Sequence, residues 1–76
     1  MEQKHSEKYI VLELNIAFYR KKKGMTQETL AEIVDVSRTH ISNIEAKKVD
    51  KSLSLELLFN IADALGVEVA TLFEMR

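Results

Sequence analysis

The sequence has no cysteine, so neither a disulfide bond nor a thiolate metal site can stabilise its 76 residues. No apolar run approaches the ~18 residues of a membrane span, and no charged-then-apolar leader opens the chain. Only two histidines are present, with no glycine-rich phosphate loop, no credible carboxylate pair and no metal-ligand spacing. We therefore expect a cytoplasmic protein that contacts no membrane, holds no cofactor or metal and catalyses no reaction.

The residues that are present suffice for one small domain. Hydrophobic residues make up 46% of the chain, and no proline, internal repeat or low-complexity segment divides it. A domain of this size is only marginally stable alone and usually gains from dimerisation. We expect a flexible, polar tail over residues 1–7 and a single domain over residues 8–76, with no evident small-molecule pocket.

The spacing of apolar residues is helical, and no segment alternates as a strand would. Thr26 and Ser37 are suited to N-cap positions, and Gly24 and Gly66 to the left-handed position that follows a helix. These signals predict a compact all-α domain of five helices, over residues 8–23, 27–34, 38–46, 55–65 and 69–75.

The second and third predicted helices are separated only by the corner Val34-Asp35-Val36. Ala31 is small at the point where these two helices would approach most closely. Two helices joined by a turn of about 3–4 residues can set the second helix in the major groove of DNA. The segment therefore predicts a helix-turn-helix.

A group of eleven residues in and around this segment follows a known pattern: Gly24, Thr26, Gln27, Leu30, Ala31, Val36, Ser37, Ile41, Ser42, Ile44 and Glu45. With residues 61–67, they make the chain resemble the lambda-repressor-like, Cro-type (xenobiotic-response-element) helix-turn-helix family across residues 12–73. The resemblance implies a sequence-specific regulator of transcription, a repressor that binds an inverted repeat of double-stranded DNA as a homodimer. It also implies a bacterial or phage-type, nucleoid-associated protein, and an ion pair between Arg20 and Glu45.

Three residues on the outer face of the third helix are suited to reading bases. Arg38 can donate two hydrogen bonds to guanine O6 and N7, and Asn43 can pair with adenine N6 and N7. Thr39 can offer its hydroxyl to a base or its methyl group to thymine. These three residues also match the base-reading positions of the family that the chain resembles.

Other polar residues near the corner are candidates for contacts with the DNA backbone. Ser37 and Ser42 are expected to bind phosphate, which positions the helix without reading sequence. His40 is expected near phosphate or in solvent. Gln27 lies at the positive end of the second helix, where it is expected to contact DNA. The alternative is that it is only a good helix-forming residue on the surface. Two lysines beyond the third helix, Lys47 and Lys48, lie where the DNA backbone would pass.

The net charge of −1 is unevenly distributed along the chain. Residues 20–48 carry seven basic and four acidic side chains, a net +3, whereas residues 52–76 carry a net −3. Positive charge around the helix-turn-helix suits a DNA-binding surface. The run Lys21–Lys23 is also explained as a solvated helix end favoured by the helix dipole.

The first helix has a surplus apolar stripe formed by Val11, Leu14 and Phe18. Either the last helix covers it, through Leu72, Phe73 and Met75, or it contributes to a dimer interface. The stripe and the acidic C-terminal half also fit a second function, that of an antitoxin-like or adaptor module whose partner is a protein and whose DNA binding is weak.

Overall fold

The computed structural model describes residues 4–46 and 53–75. Within these ranges the chain forms four α-helices: α1 (Ser6–Lys22), α2 (Gln27–Val34), α3 (Arg38–Glu45) and α4 (Leu55–Leu65). A 3₁₀ helix, Val69–Phe73, follows α4, and no strand occurs in the described residues. None of the helices in the two described ranges is long and apolar enough to cross a membrane.

Each of the five elements contributes one large, fully buried side chain to a common core. These side chains are Ile16, Leu30, Ile41, Ile61 and Leu72. Because α2 and α3 are each held through their apolar faces, the polar side of α3 is left at the surface. The core thus fixes the orientation of the helix-turn-helix relative to α1 and α4.

The corner between α2 and α3 has the predicted construction. Val34 is buried and Val36 packs against the core from a partly buried position. The Thr26 hydroxyl accepts a hydrogen bond from the Thr29 N–H (3.0 Å), and the Ser37 hydroxyl accepts one from the His40 N–H (3.0 Å). Both predicted N-caps are therefore confirmed.

The last element corrects the prediction of a fifth α-helix over residues 69–75. It is a 3₁₀ helix that ends at Phe73, after which Glu74 is extended (φ −83°, ψ 135°). The buried Asn15 amide donates to the carbonyl oxygens of Leu72 (2.9 Å) and Glu74 (2.8 Å). These bonds fix the exit from the 3₁₀ helix in an extended path, so the described residues contain four α-helices rather than five.

The first helix also differs from its predicted bounds, since it begins at Ser6, two residues before the expected Lys8. The His5 carbonyl accepts hydrogen bonds from the N–H groups of Lys8 (3.0 Å) and Tyr9 (3.2 Å), which starts the helix within the predicted tail. The helix ends one residue early, at Lys22, and Gly24 adopts the expected positive φ of 76°.

The 3₁₀ helix does not cover the surplus apolar stripe of α1. Leu14 and Phe18 remain exposed, and only Val11 is half-buried. The terminal segment is itself divided, because Leu72 is buried whereas Phe73 and Met75 are exposed. Apolar surface therefore remains on α1 and on the C-terminal segment of the described chain.

Replacing Asp35 by glycine should stabilise the domain by about 0.5–1 kcal/mol. Asp35 ends α2 in the left-handed conformation (φ 62°, ψ 49°), where a Cβ atom is unfavourable and glycine is not. A thermal unfolding curve measures the change. The matched control, Asp63→Gly, places glycine inside α4 and should instead destabilise the domain by about 0.3 kcal/mol, the difference in helix propensity between aspartate and glycine. If Asp35→Gly lowered the stability as much as Asp63→Gly does, the expectation would be wrong.

Candidate nucleic-acid interface

Helix α3 has one buried face and one exposed polar face. Ile41 and Ile44 are buried in the core, whereas Arg38, Thr39 and Asn43 are exposed. Thr39 and Asn43 are four residues apart and so lie above one another on the helix surface, with Arg38 beside Thr39. The structure thus brings the three candidate base-reading side chains onto one exposed face.

The predicted phosphate-contacting residues lie around this face at different degrees of exposure. Ser37 is exposed at the N-terminus of α3, and its oxygen accepts from His40 N–H, which leaves the hydroxyl hydrogen able to bind an acceptor. His40 and Ser42 are half-buried. Lys47 and Lys48 lie outside the described residues, so their role stays a prediction.

Gln27 is the first residue of α2 and is half-buried. Its backbone N–H belongs to the first turn, where N–H groups have no partner within the helix and can bind an anion. Its side-chain Nε2 donates to Glu45 Oε1 at 3.0 Å. Sequence reasoning missed this bond, because nothing in the local pattern links residues eighteen positions apart.

The predicted pairing of Arg20 with Glu45 is present. Arg20 Nε lies 2.7 Å from Glu45 Oε2, and Nη2 lies 2.9 Å from Oε1, with the two side chains only 8% and 6% exposed. Arg20 Nη1 also donates to the Met25 carbonyl oxygen at 2.7 Å. One guanidinium therefore joins α1, the entry to α2 and the end of α3.

The basic residues at the end of α1 are all exposed. Lys21, Lys22 and Lys23 continue the chain from the buried Arg20, and Lys22 Nζ lies 5.9 Å from the centroid of the Tyr19 ring. Their position in and just beyond the last turn of α1 agrees with the helix-dipole explanation.

The helix-turn-helix family model matches residues 16–72, a range that includes α2, the corner and α3. The chain belongs to the helix-turn-helix family. The predicted lambda-repressor-like resemblance is thereby confirmed, and the fold and relatives are those of a DNA-binding regulator of transcription.

Relatives of this helix-turn-helix regulator include proteins from both archaea and bacteria. An uncharacterised helix-turn-helix-type transcriptional regulator of Methanocaldococcus jannaschii is 41% identical over 58 residues, which cover 76% of this chain and 85% of that protein. The clp gene regulator ClgR of Corynebacterium glutamicum is 34% identical, with a TM-score of 0.77 over 84% of this chain. This chain spans 66% of the length of that ClgR chain.

A third similar protein has been solved in complex with DNA. It is SinR, the master regulator for biofilm formation, which is 31% identical and has a TM-score of 0.72. The match covers 83% of this chain and 98% of the SinR chain. The fold of the present regulator is therefore shared, over most of its length, with a protein seen on DNA.

Proposed function

We propose that this regulator is a repressor that binds a specific double-stranded DNA sequence, as a homodimer on an inverted repeat. The observation that carries the proposal is the exposed group of Arg38, Thr39 and Asn43 on α3, opposite the buried Ile41 and Ile44. Half-sites about one helical turn (~34 Å) apart would place two such helices in successive major grooves. The protein acts by occupying DNA and not by catalysis.

Two exposed side chains of α3 and two residues beside it have defined tasks in this proposal. Arg38 binds guanine through its two-pronged guanidinium, and Asn43 binds adenine through its amide. Ser37 and Gln27, the latter through both its backbone N–H and its side-chain amide, bind the DNA backbone beside the groove and set the depth of α3 in it. Repression follows because a dimer bound over a promoter excludes other proteins from the same DNA.

The salt dependence of binding tests the proposal against the adaptor or antitoxin-like alternative. Fluorescence anisotropy with a duplex that contains the preferred site measures the affinity at salt concentrations between about 50 and 200 mM. The logarithm of the affinity should fall linearly with the logarithm of the salt concentration. A module that acts through a protein partner would show little affinity for any duplex at the lower salt concentration. That second result would remove DNA binding as the function.

Substituting both Lys47 and Lys48 by alanine should weaken binding to every duplex alike. If each lysine neutralises one phosphate, the slope of log affinity against log salt should flatten by up to ~2 units. The double variant Lys47→Arg, Lys48→Arg keeps both charges and should keep the slope. A loss confined to the preferred duplex would instead place these lysines in the groove.

The apolar surface around the 3₁₀ helix supports the homodimer. Phe73 and Met75 are both exposed, and each lines a depression: Phe73 and Leu55 line one of about 360 Å³, and Met75 and Val11 line one of about 200 Å³. A two-fold interface packs one surface against the same surface of a second copy, so this exposed apolar surface can be buried by its counterpart. Lys8 and Glu74, exposed and of opposite charge, border the same surface and can pair between two copies.

Replacing Phe73 by aspartate should shift the protein from dimer to monomer. It should weaken binding to the full inverted repeat far more than binding to a half-site, because only the full site uses both subunits. Phe59→Asp is the matched control, since Phe59 and Phe73 are similarly exposed (48% and 46%) but Phe59 lies on α4. The proposal would be wrong if the wild type sedimented as a monomer at about tens of micromolar and still bound the full site tightly.

A further inference from the structure

We infer that Glu45 is a positioning residue that fixes the Gln27 side chain for its contact with DNA. The inference rests on the proposed DNA-binding function and extends it to a residue that touches no DNA itself. It assigns two tasks to one carboxylate: Glu45 ties α1 to α3 through Arg20, and it orients a polar group at the N-terminus of α2.

The geometry around Glu45 Oε1 carries this inference. That oxygen accepts two hydrogen bonds, from Arg20 Nη2 at 2.9 Å and from Gln27 Nε2 at 3.0 Å. Its partner oxygen Oε2 accepts from Arg20 Nε at 2.7 Å. Since the carboxylate is held at both oxygens by one planar guanidinium, it offers Gln27 an acceptor at a fixed position.

The same guanidinium fixes the backbone that leads into α2. Arg20 Nη1 donates to the carbonyl oxygen of Met25, the residue before the Thr26 N-cap. The start of α2 is thus attached to Arg20 directly through the backbone and indirectly through the Gln27 side chain. Both attachments set the position of Gln27 relative to α3.

Hydrogen-bond chemistry then selects one orientation of the Gln27 amide. An ionised carboxylate oxygen only accepts, so it attracts the NH₂ end of the amide and repels the carbonyl end. A reversed amide would bring two acceptors to about hydrogen-bonding distance and lose one bond. The amide therefore keeps its carbonyl oxygen and one N–H for DNA, in a fixed arrangement, before DNA arrives.

A double-mutant cycle in DNA affinity tests this role directly. The four proteins are the wild type, Gln27→Met, Glu45→Gln and the double variant, each compared at a temperature where circular dichroism shows it folded. Glu45→Gln removes a negative charge, which raises affinity for any duplex. Because Gln27→Met is uncharged, that general effect is equal in both backgrounds and cancels from the coupling.

We expect the loss caused by Gln27→Met to be at least about threefold smaller in the Glu45→Gln background than in the wild type. The role of Glu45 would be overturned if the affinity of the double variant were the product of the two single effects, while the wild type still preferred its selected duplex. A wild type with no preference for any duplex would overturn the proposed function as well. These two failures are distinguishable.

A second variant covers the case in which Glu45→Gln does not fold. Gln27→Asn keeps the amide and the charge but is one methylene shorter, so its NH₂ group no longer reaches Glu45. We expect it to lose as much affinity as Gln27→Met. Wild-type affinity in Gln27→Asn would show that an amide near the N-terminus of α2 suffices without the link to Glu45, which would overturn the inference.

Discussion

Removing the Arg38 side chain should lower affinity for the preferred duplex by about 1–3 kcal/mol, roughly 5- to 150-fold. Arg38 is exposed at the start of α3, where a major-groove helix makes its base contacts. The variant should also lose its preference at one base position, because a guanidinium that donates to both O6 and N7 recognises guanine alone. Competition binding with duplexes altered at single positions measures both effects.

Arg38→Lys separates base reading from charge. Lysine keeps the positive charge but lacks the planar pair of donors, so the salt slope should stay unchanged while the base preference weakens. Unchanged selectivity in a folded Arg38→Ala protein would remove Arg38 from the base-reading set. The proposed contact would then have to come from Thr39 or Asn43.

Replacing Arg20 by alanine should lower the free energy of unfolding by about 3–5 kcal/mol. The substitution leaves the Glu45 carboxylate buried without its cation and removes the donor to the Met25 carbonyl oxygen. Such a loss is a large part of the total stability of a small domain, which is typically about 5–15 kcal/mol. Urea denaturation of the variant and the wild type gives the difference.

Arg20→Ala should change the DNA affinity of the folded fraction less than it changes stability, since the Arg20 side chain is buried. Lys21→Ala is the matched control, because it removes an exposed charge from the next residue of the same helix. Its stability should stay within about 0.5 kcal/mol of the wild type. Wild-type stability with lost binding in Arg20→Ala would contradict the structural role of Arg20 and assign it to DNA binding, directly or through Gln27.

The parts of the fold that sequence predicts best are those with local signals at both ends. The bounds of α2 and α4 agree with prediction, because Thr26 caps the first and Gly66 ends the second in a left-handed conformation. The last element was not predictable in this way. Its 3₁₀ geometry accompanies two hydrogen bonds from the Asn15 side chain, which lies 57 and 59 positions before the acceptors in the sequence. Local propensity carries no information about bonds between residues so far apart.

In the candidate site, too, the sequence predicts the features that depend on local spacing and misses those that depend on how the helices pack. Exposure of Arg38, Thr39 and Asn43 follows from the helical spacing of Ile41 and Ile44, which a sequence displays directly. The hydrogen bond between Gln27 and Glu45 depends on how three helices meet, so it required coordinates. The DNA contacts of all these residues remain predictions.

Selection of bound sequences from a pool of random duplexes tests the central claim, that α3 reads DNA sequence, most directly. We predict enrichment of an inverted repeat with half-sites about one helical turn apart, and loss of one specified base per half-site when Arg38→Ala is used instead. A wild-type protein that recovers sequences no different from the starting pool would contradict the claim.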